Sequence, residues 1–228
     1  PYEFELRCIE LPRATERPQR FVCGISGPQA RFYPADVIAY MRRLGFNAVN
    51  LWQPAAWKSP PNEELVAQVD AWHAGGFRAS NNYSPLNYPW YDEMLREEEQ
   101  AQARTIDGSR RPGIPCPSYR GNAWQQEGRR MANLTAHGLR WAHLDEEVWN
   151  GHGICFCERC LGRWEGYRAE HYPDLAPLSP TEFEADPDDY PEHHAAWTRF
   201  KCAMVTEMFE GWRRTFRARA EEQGIDPS

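Results

Sequence analysis

Residues 34–52 read PADVIAYMRRLGFNAVNLW. Pro34-Ala35-Asp36 opens a helix, because proline's missing N–H is no loss in the first turn and an acid there faces the positive end of the helix dipole. Val37, Tyr40, Met41 and Leu44 recur with helical spacing and form one apolar face. Gly45 closes the helix where the backbone turns left-handed. Phe46–Trp52 then reads as a short apolar strand. A helix that stops on glycine and runs into a buried strand belongs to a parallel βα repeat. Parallel strands need helical crossovers and are covered on both faces.

Reading outward, the same unit recurs. Phe21–Ser26 is an apolar run stopped by Gly27-Pro28, a first strand. Ahead of it, residues 1–20 alternate weakly and then turn charged, an N-terminal strand and linker. A Pro-rich loop leads from Trp52 to a helix over Glu63–Ala74, with Leu65, Val69 and Trp72 inward and Gly75-Gly76 after it. Phe77–Tyr83 is a third, more polar strand. Tyr91 to Gly113 begins as a charged helix and ends as an Arg- and Gly-containing loop. Gly121–His137 is a helix carrying Trp124, Met131 and Leu134, ended by Gly138, and Leu139–Leu144 is a fourth strand. A long loop spans Asp145 to Pro191. Ala195–Gln223 is a long amphipathic helix with Trp197, Phe200, Met204, Met208, Trp212 and Phe216 on one face.

Alternating strands and helices define an α/β chain, either a doubly wound sheet or a (β/α) TIM-type barrel. The first turn, Gly24-Ile25-Ser26-Gly27, is a poor dinucleotide fingerprint, and the sequence contains no Walker motif. Long loops follow the strands and short glycine turns follow the helices, the asymmetry of a barrel with its chemistry in the loops after the strands. A closed barrel takes eight strands and about 250 residues; four units are legible in these 228 residues. The expectation is a barrel domain over 21–228 made of the first four βα units. The rest would come from the same longer chain or from a homo-oligomer partner.

The net charge of −7, with both signs interspersed, leaves no basic stripe for nucleic acid. No apolar run approaches the roughly 18 residues of a membrane span. Seven cysteines, three of them within 155–160, fit metal ligation better than an evenly paired disulfide scaffold, and lean towards a reducing, cytoplasmic setting. Cys8, Cys23 and Cys202 read as scattered core residues.

The fourth strand and its exit read LRWAHLDEEVW (139–149). Alternation puts Ala142 and Leu144 towards the helices, and Trp141, His143, Asp145 and Glu147 on the barrel-interior side. Adjacent acids raise one another's pKa, which keeps one carboxyl protonated as a general acid beside an ionised partner. Glycoside cleavage needs such a pair. A solvated loop start or a salt-bridged cap is the plainer alternative. Behind the acids, CFCERC brings the thiols of Cys155, Cys157 and Cys160 together, and a tetrahedral ion would take a fourth ligand from Cys116 or His152. Four protein ligands make a closed, structural zinc site that pins the post-strand loop.

Together these features resemble the glycoside hydrolases of the large retaining clan of barrel enzymes, most closely the family 42 β-galactosidases. In that family strand four ends in Asn-Glu, with Glu as acid/base, and a C-x-C-x-x-C loop follows that holds structural zinc with a cysteine from the preceding loop. The resemblance implies Glu147 as acid/base and Cys116, Cys155, Cys157 and Cys160 as zinc ligands. GFNAVNLW (45–52) is similar to that clan's second strand. Here Glu146 stands at the Asn position, and the clan's nucleophile belongs to strand seven, beyond the units read here. An α-fucosidase-type barrel is the rival likeness; it implies Asp145 as nucleophile with Glu146 and Glu147 secondary.

Sugars offer flat apolar faces and many hydroxyls, so aromatic platforms beside amides suit them. Trp52, Gln53, Trp57, Asn81, Asn82, Tyr83, Trp90 and Trp149 are the candidate contacts. His143 is a further candidate, read foremost as a buried, hydrogen-bonded core residue. His193-His194 reads as a solvated helix start. The functional expectation is a glycosidase acting on a carbohydrate. A non-catalytic carbohydrate-binding half-barrel is the alternative. A hydrolase using the cysteine zinc is disfavoured, because a thiolate-rich set makes a poor open site for activating water.

Overall fold

A computed structural model describes residues 24–26, 33–83, 98–144 and 155–226. Strand β1 (Gly24–Ser26) is followed by helix α1 (Ala35–Arg43), β2 (Ala48–Leu51), a short 3-10 turn, α2 (Glu63–Ala74) and β3 (Arg78–Tyr83). After a second 3-10 turn come β4 (Gln102–Arg104), β5 (Arg110–Pro115), α3 (Asn122–Ala136) and β6 (Trp141–Leu144). Helices α4 (Glu158–His171), α5 (Pro180–Phe183) and α6 (Pro191–Glu222) complete the order.

β1, β2, β3 and β6 form one four-stranded sheet in that order, with every pairing parallel. The helix stops are physical: Gly45, Gly76 and Gly138 follow α1, α2 and α3 with positive φ, a conformation that penalises any Cβ. The α2 start is fixed by Asn62, whose side chain accepts from the Leu65 N–H. His137 joins this start to the end of α3: its Nε2 accepts from the Asn62 N–H at 2.9 Å, and its Nδ1 lies 3.1 Å from the Asn133 carbonyl.

The described crossover helices all pack on one face of the sheet. Val49, Leu51 and Ala79 share a single core with Ile38 of α1, Val69 and Trp72 of α2, Met131 and Leu134 of α3, and Met208, Trp212 and Phe216 of α6. A doubly wound sheet would divide its helices between both faces; here the chain is an α/β fold whose parallel sheet matches part of a (β/α) barrel. α6 lies close against α3: a Cβ on Gly211 would sit 2.3 Å from the Trp124 ring, and Trp212 Nε1 donates to the Trp124 carbonyl at 3.0 Å.

Several expectations are corrected. The Arg- and Gly-containing stretch after residue 98 is not a loop but an antiparallel hairpin of β4 and β5. The long loop expected over Asp145–Pro191 contains α4 and α5. These two helices and the start of α6 enclose a second core of Phe156, Trp164, Phe183, Trp197, Phe200 and Met204. On α1 the buried residue is Ile38, whereas Tyr40 and Leu44 are exposed. His193 is buried, not solvated, with Nε2 3.0 Å from the Ala176 carbonyl. Cys202 is exposed rather than in a core. No helix among the described residues is long and apolar enough to cross a membrane.

Candidate functional site

Register sets what the uncovered, inner face of the sheet presents. Ser26, Asn50, Ser80 and Trp141 are register partners in one row across all four strands, and Asn82 is level with His143 two residues further on. Parallel strands covered on both sides are apolar on both, so a row of serines and asparagines marks a face built for something other than a helix. These side chains are joined across strands. Ser80 Oγ donates to Asn50 Oδ1 at 2.9 Å, Asn50 Nδ2 donates to Ser26 Oγ at 3.4 Å, and Trp52 Nε1 donates to the same Ser26 Oγ at 3.1 Å.

The face encloses a concavity of about 270 Å³, lined by these residues together with Trp141 and His143. Trp52 is 47% exposed, and Asn82 is only 6% exposed. The Asn82 Oδ1 is buried with no hydrogen-bond partner among the described residues. His143 is exposed on this face, which corrects its reading as a buried core histidine. Strand parity gave it the right face, but no helix covers that face among the described residues.

The other sequence-based candidates divide. Asn81 points the opposite way and is fully buried. Its Oδ1 accepts from the Gln53 N–H at 2.9 Å and its Nδ2 donates to the Gln53 carbonyl at 3.3 Å, locking the turn after β2. Gln53 is buried through that turn, and Trp57 lies in the packed core. Tyr83 ends β3 opposite Leu144. Trp90, Asp145, Glu146, Glu147, Trp149 and His152 lie outside the described residues. Ser26, Asn50 and Ser80 were missed. Ser26 and Asn50 are each a single polar residue in a short strand and Ser80 stands in the more polar β3, and only strand register brings them into one row.

The second constellation lies at the hairpin. Cys116 follows β5, while Cys155, Cys157 and Cys160 lie at the entry to α4; their four sulfur atoms all lie within 4.8 Å of one another. Cys116 Sγ is 3.5 Å from both Cys157 Sγ and Cys160 Sγ. That is far beyond a disulfide bond and close to the roughly 3.8 Å sulfur separation implied by a tetrahedral ion with Zn–S bonds of about 2.3 Å. Crowded thiols cannot all ionise without an ion: hydrogen bonding from Cys116 holds Cys157 down, while Cys116 pushes Cys155 and Cys160 up.

Further groups surround the sulfurs. The Arg104 N–H donates to Cys155 Sγ at 3.2 Å, and Ser118 Oγ lies 3.2 Å from Cys160 Sγ. Arg159, stacked over the Tyr119 ring at 5.2 Å, adds positive charge beside them. Such donors and charge offset a negative thiolate set. Three of the four cysteines are buried. Four sulfur atoms at this spacing form a set that could hold a metal ion.

No family model matches the chain, and no curated protein matches it. Among solved structures the chain is similar to a beta-galactosidase from the psychrophilic Marinomonas ef1, at 16% identity with a TM-score of 0.44. That alignment covers 67% of this chain and 26% of the other. The chain therefore spans about a quarter of that enzyme's length.

Proposed function

We propose that residues 21–228, preceded by a linker over 1–20, form the first half of a (β/α)-barrel glycosidase domain whose inner face binds carbohydrate. The observation that carries the reading is the inner face itself: a cross-strand row of neutral hydrogen-bonding groups beside an exposed Trp52, in a parallel sheet whose other face packs into the apolar core apart from Asn81. Trp141 and His143 line that face, and Asp145 and Glu147 follow His143 in the sequence at the same spacing of two. Glu147 is the proposed general acid/base, protonating the leaving oxygen and later activating water. A second carboxylate acts as nucleophile or base from beyond these units or, in the α-fucosidase-like alternative, is Asp145.

In this reading zinc on Cys116, Cys155, Cys157 and Cys160 supplies a structural crosslink between the β5 exit and the α4 entry, and takes no part in bond cleavage. The test is turnover of aryl glycosides, including the β-galactoside, by the full-length polypeptide. Glu147→Gln should lower kcat by roughly 10²–10⁴, and Asp145→Asn should do so only if Asp145 is the nucleophile. No turnover together with unchanged sugar binding in Glu147→Gln would favour a non-catalytic carbohydrate-binding module. Metal analysis of the purified protein should find one zinc per chain.

A further inference from the structure

Resting on that carbohydrate reading, we propose that Asn82 is the residue that recognises one particular sugar hydroxyl, and that Ser26 positions Trp52 as the platform beneath the sugar ring. Asn82 is the singular polar group of the inner face. Its neighbours in the rows are joined to one another, whereas its carbonyl oxygen is buried without a partner among the described residues. A buried carbonyl left unsatisfied is costly, so its retention calls for an occupant of the concavity that donates a hydrogen bond. A hydroxyl can donate; a carboxylate or phosphate cannot, and would meet the amide oxygen with repulsion. No Lys, Arg, Asp or Glu lines this concavity among the described residues, so nothing there would pair with an anionic ring.

Ser26 has a different task. Its hydroxyl oxygen receives both Asn50 Nδ2 and Trp52 Nε1, which takes up its two acceptor positions. Trp52 is thereby held by its edge while 47% of it stays exposed. An indole fixed at its N–H and open elsewhere is a preorganised stacking surface, since orienting it costs nothing further when a ring binds. Ser80 and Asn50 extend this brace to β3, so the platform is referred to three strands rather than to a loop.

The test compares 4-nitrophenyl β-galactoside with its monodeoxy analogues on the full-length polypeptide. Wild type should discriminate against one deoxy analogue by about tenfold or more in kcat/KM. Asn82→Leu should lose about tenfold on the parent glycoside but nothing on that analogue, with its Tm unchanged or raised because no internal hydrogen bond is removed. Ser26→Ala should raise KM with kcat nearly unchanged, and Ser26→Thr, which restores the acceptor oxygen, should recover it. If Asn82→Leu slows parent and deoxy substrates alike, or lowers Tm, the assignment of Asn82 fails while the glycosidase reading stands. Equal losses in the Ala and Thr variants of Ser26 would remove its positioning role. If wild type turns over no glycoside and its tryptophan fluorescence is unmoved by galactose, the carbohydrate reading fails and takes this inference with it.

Discussion

Asn81 and Asn82 are neighbours on one strand, identical in chemistry and both buried, yet the two faces of the sheet treat them in opposite ways. On the helix-covered face every polar atom of Asn81 that is described has a protein partner, and the residue clamps the turn at Gln53. On the uncovered face Asn82 keeps an acceptor unused. One face is closed, with its hydrogen bonds spent on the fold. The other is open among the described residues, with an acceptor that the described fold leaves unused. The cysteine corner sides with the closed face in gathering its sulfur atoms inward, four side chains that could hold a metal ion between them.

The sharpest challenge to this contrast is metal removal. Chelation, or Cys160→Ser, should release the metal and lower Tm on the order of 10 °C, read by differential scanning calorimetry. A protein that loses its metal with Tm unchanged would mean the corner is not a closure at all. On the packed face, Leu134→Ala should cost about 3–4 kcal/mol in urea unfolding, because Leu134 is fully buried beneath the sheet.

Next comes a pH effect from Glu127, which lies buried on α3 in an ion pair with Arg130 at 2.8 Å. Burial pushes its carboxyl up to about 7, against an opposing pull from Arg130. The protonated form is the one the fold favours, so its contribution is intact below about pH 4.5 and is lost as pH rises through about 7. Wild type should lose on the order of 3 kcal/mol across that window relative to Glu127→Gln, measured by denaturation at pH 5 and pH 8. The smallest effect tests the paired asparagines directly: Asn81→Leu should cost about 2 kcal/mol by stranding the Gln53 backbone, whereas Asn82→Leu should cost nothing. Equal losses would erase the distinction between the faces.

What could be read without coordinates follows from how local each signal is. The α2 helix was legible to the residue because Asn62 and Gly75-Gly76 bracket it with capping chemistry. Cys116 joined the other cysteines because thiols so spaced have few other uses. The β4–β5 hairpin was overlooked although Asp107-Gly108 at its tip is a turn signal. α4 was overlooked because the exposed Gly162 and Gly166 lower its helix propensity, and only Cys160 and Trp164 are buried on it. The inner-face row was invisible for a different reason. Ser26, Asn50 and Ser80 are far apart in the chain, and only strand register puts them in line. Parity could say that His143 turns inward; it could not say that none of the described helices covers that face.

The last helix joins parts that the sheet does not. α6 runs for 32 residues, about 48 Å at helical rise. Trp197 and Phe200 belong to the aromatic core behind the cysteines, while Trp212 and Phe216 belong to the core beneath the sheet. Between them Glu207 receives Arg120 from the cysteine-bearing loop and Arg163 from α4. One continuous helix thus packs into both cores, so the element that braces the loop bearing Cys116 also lies beneath the sheet that carries Asn82.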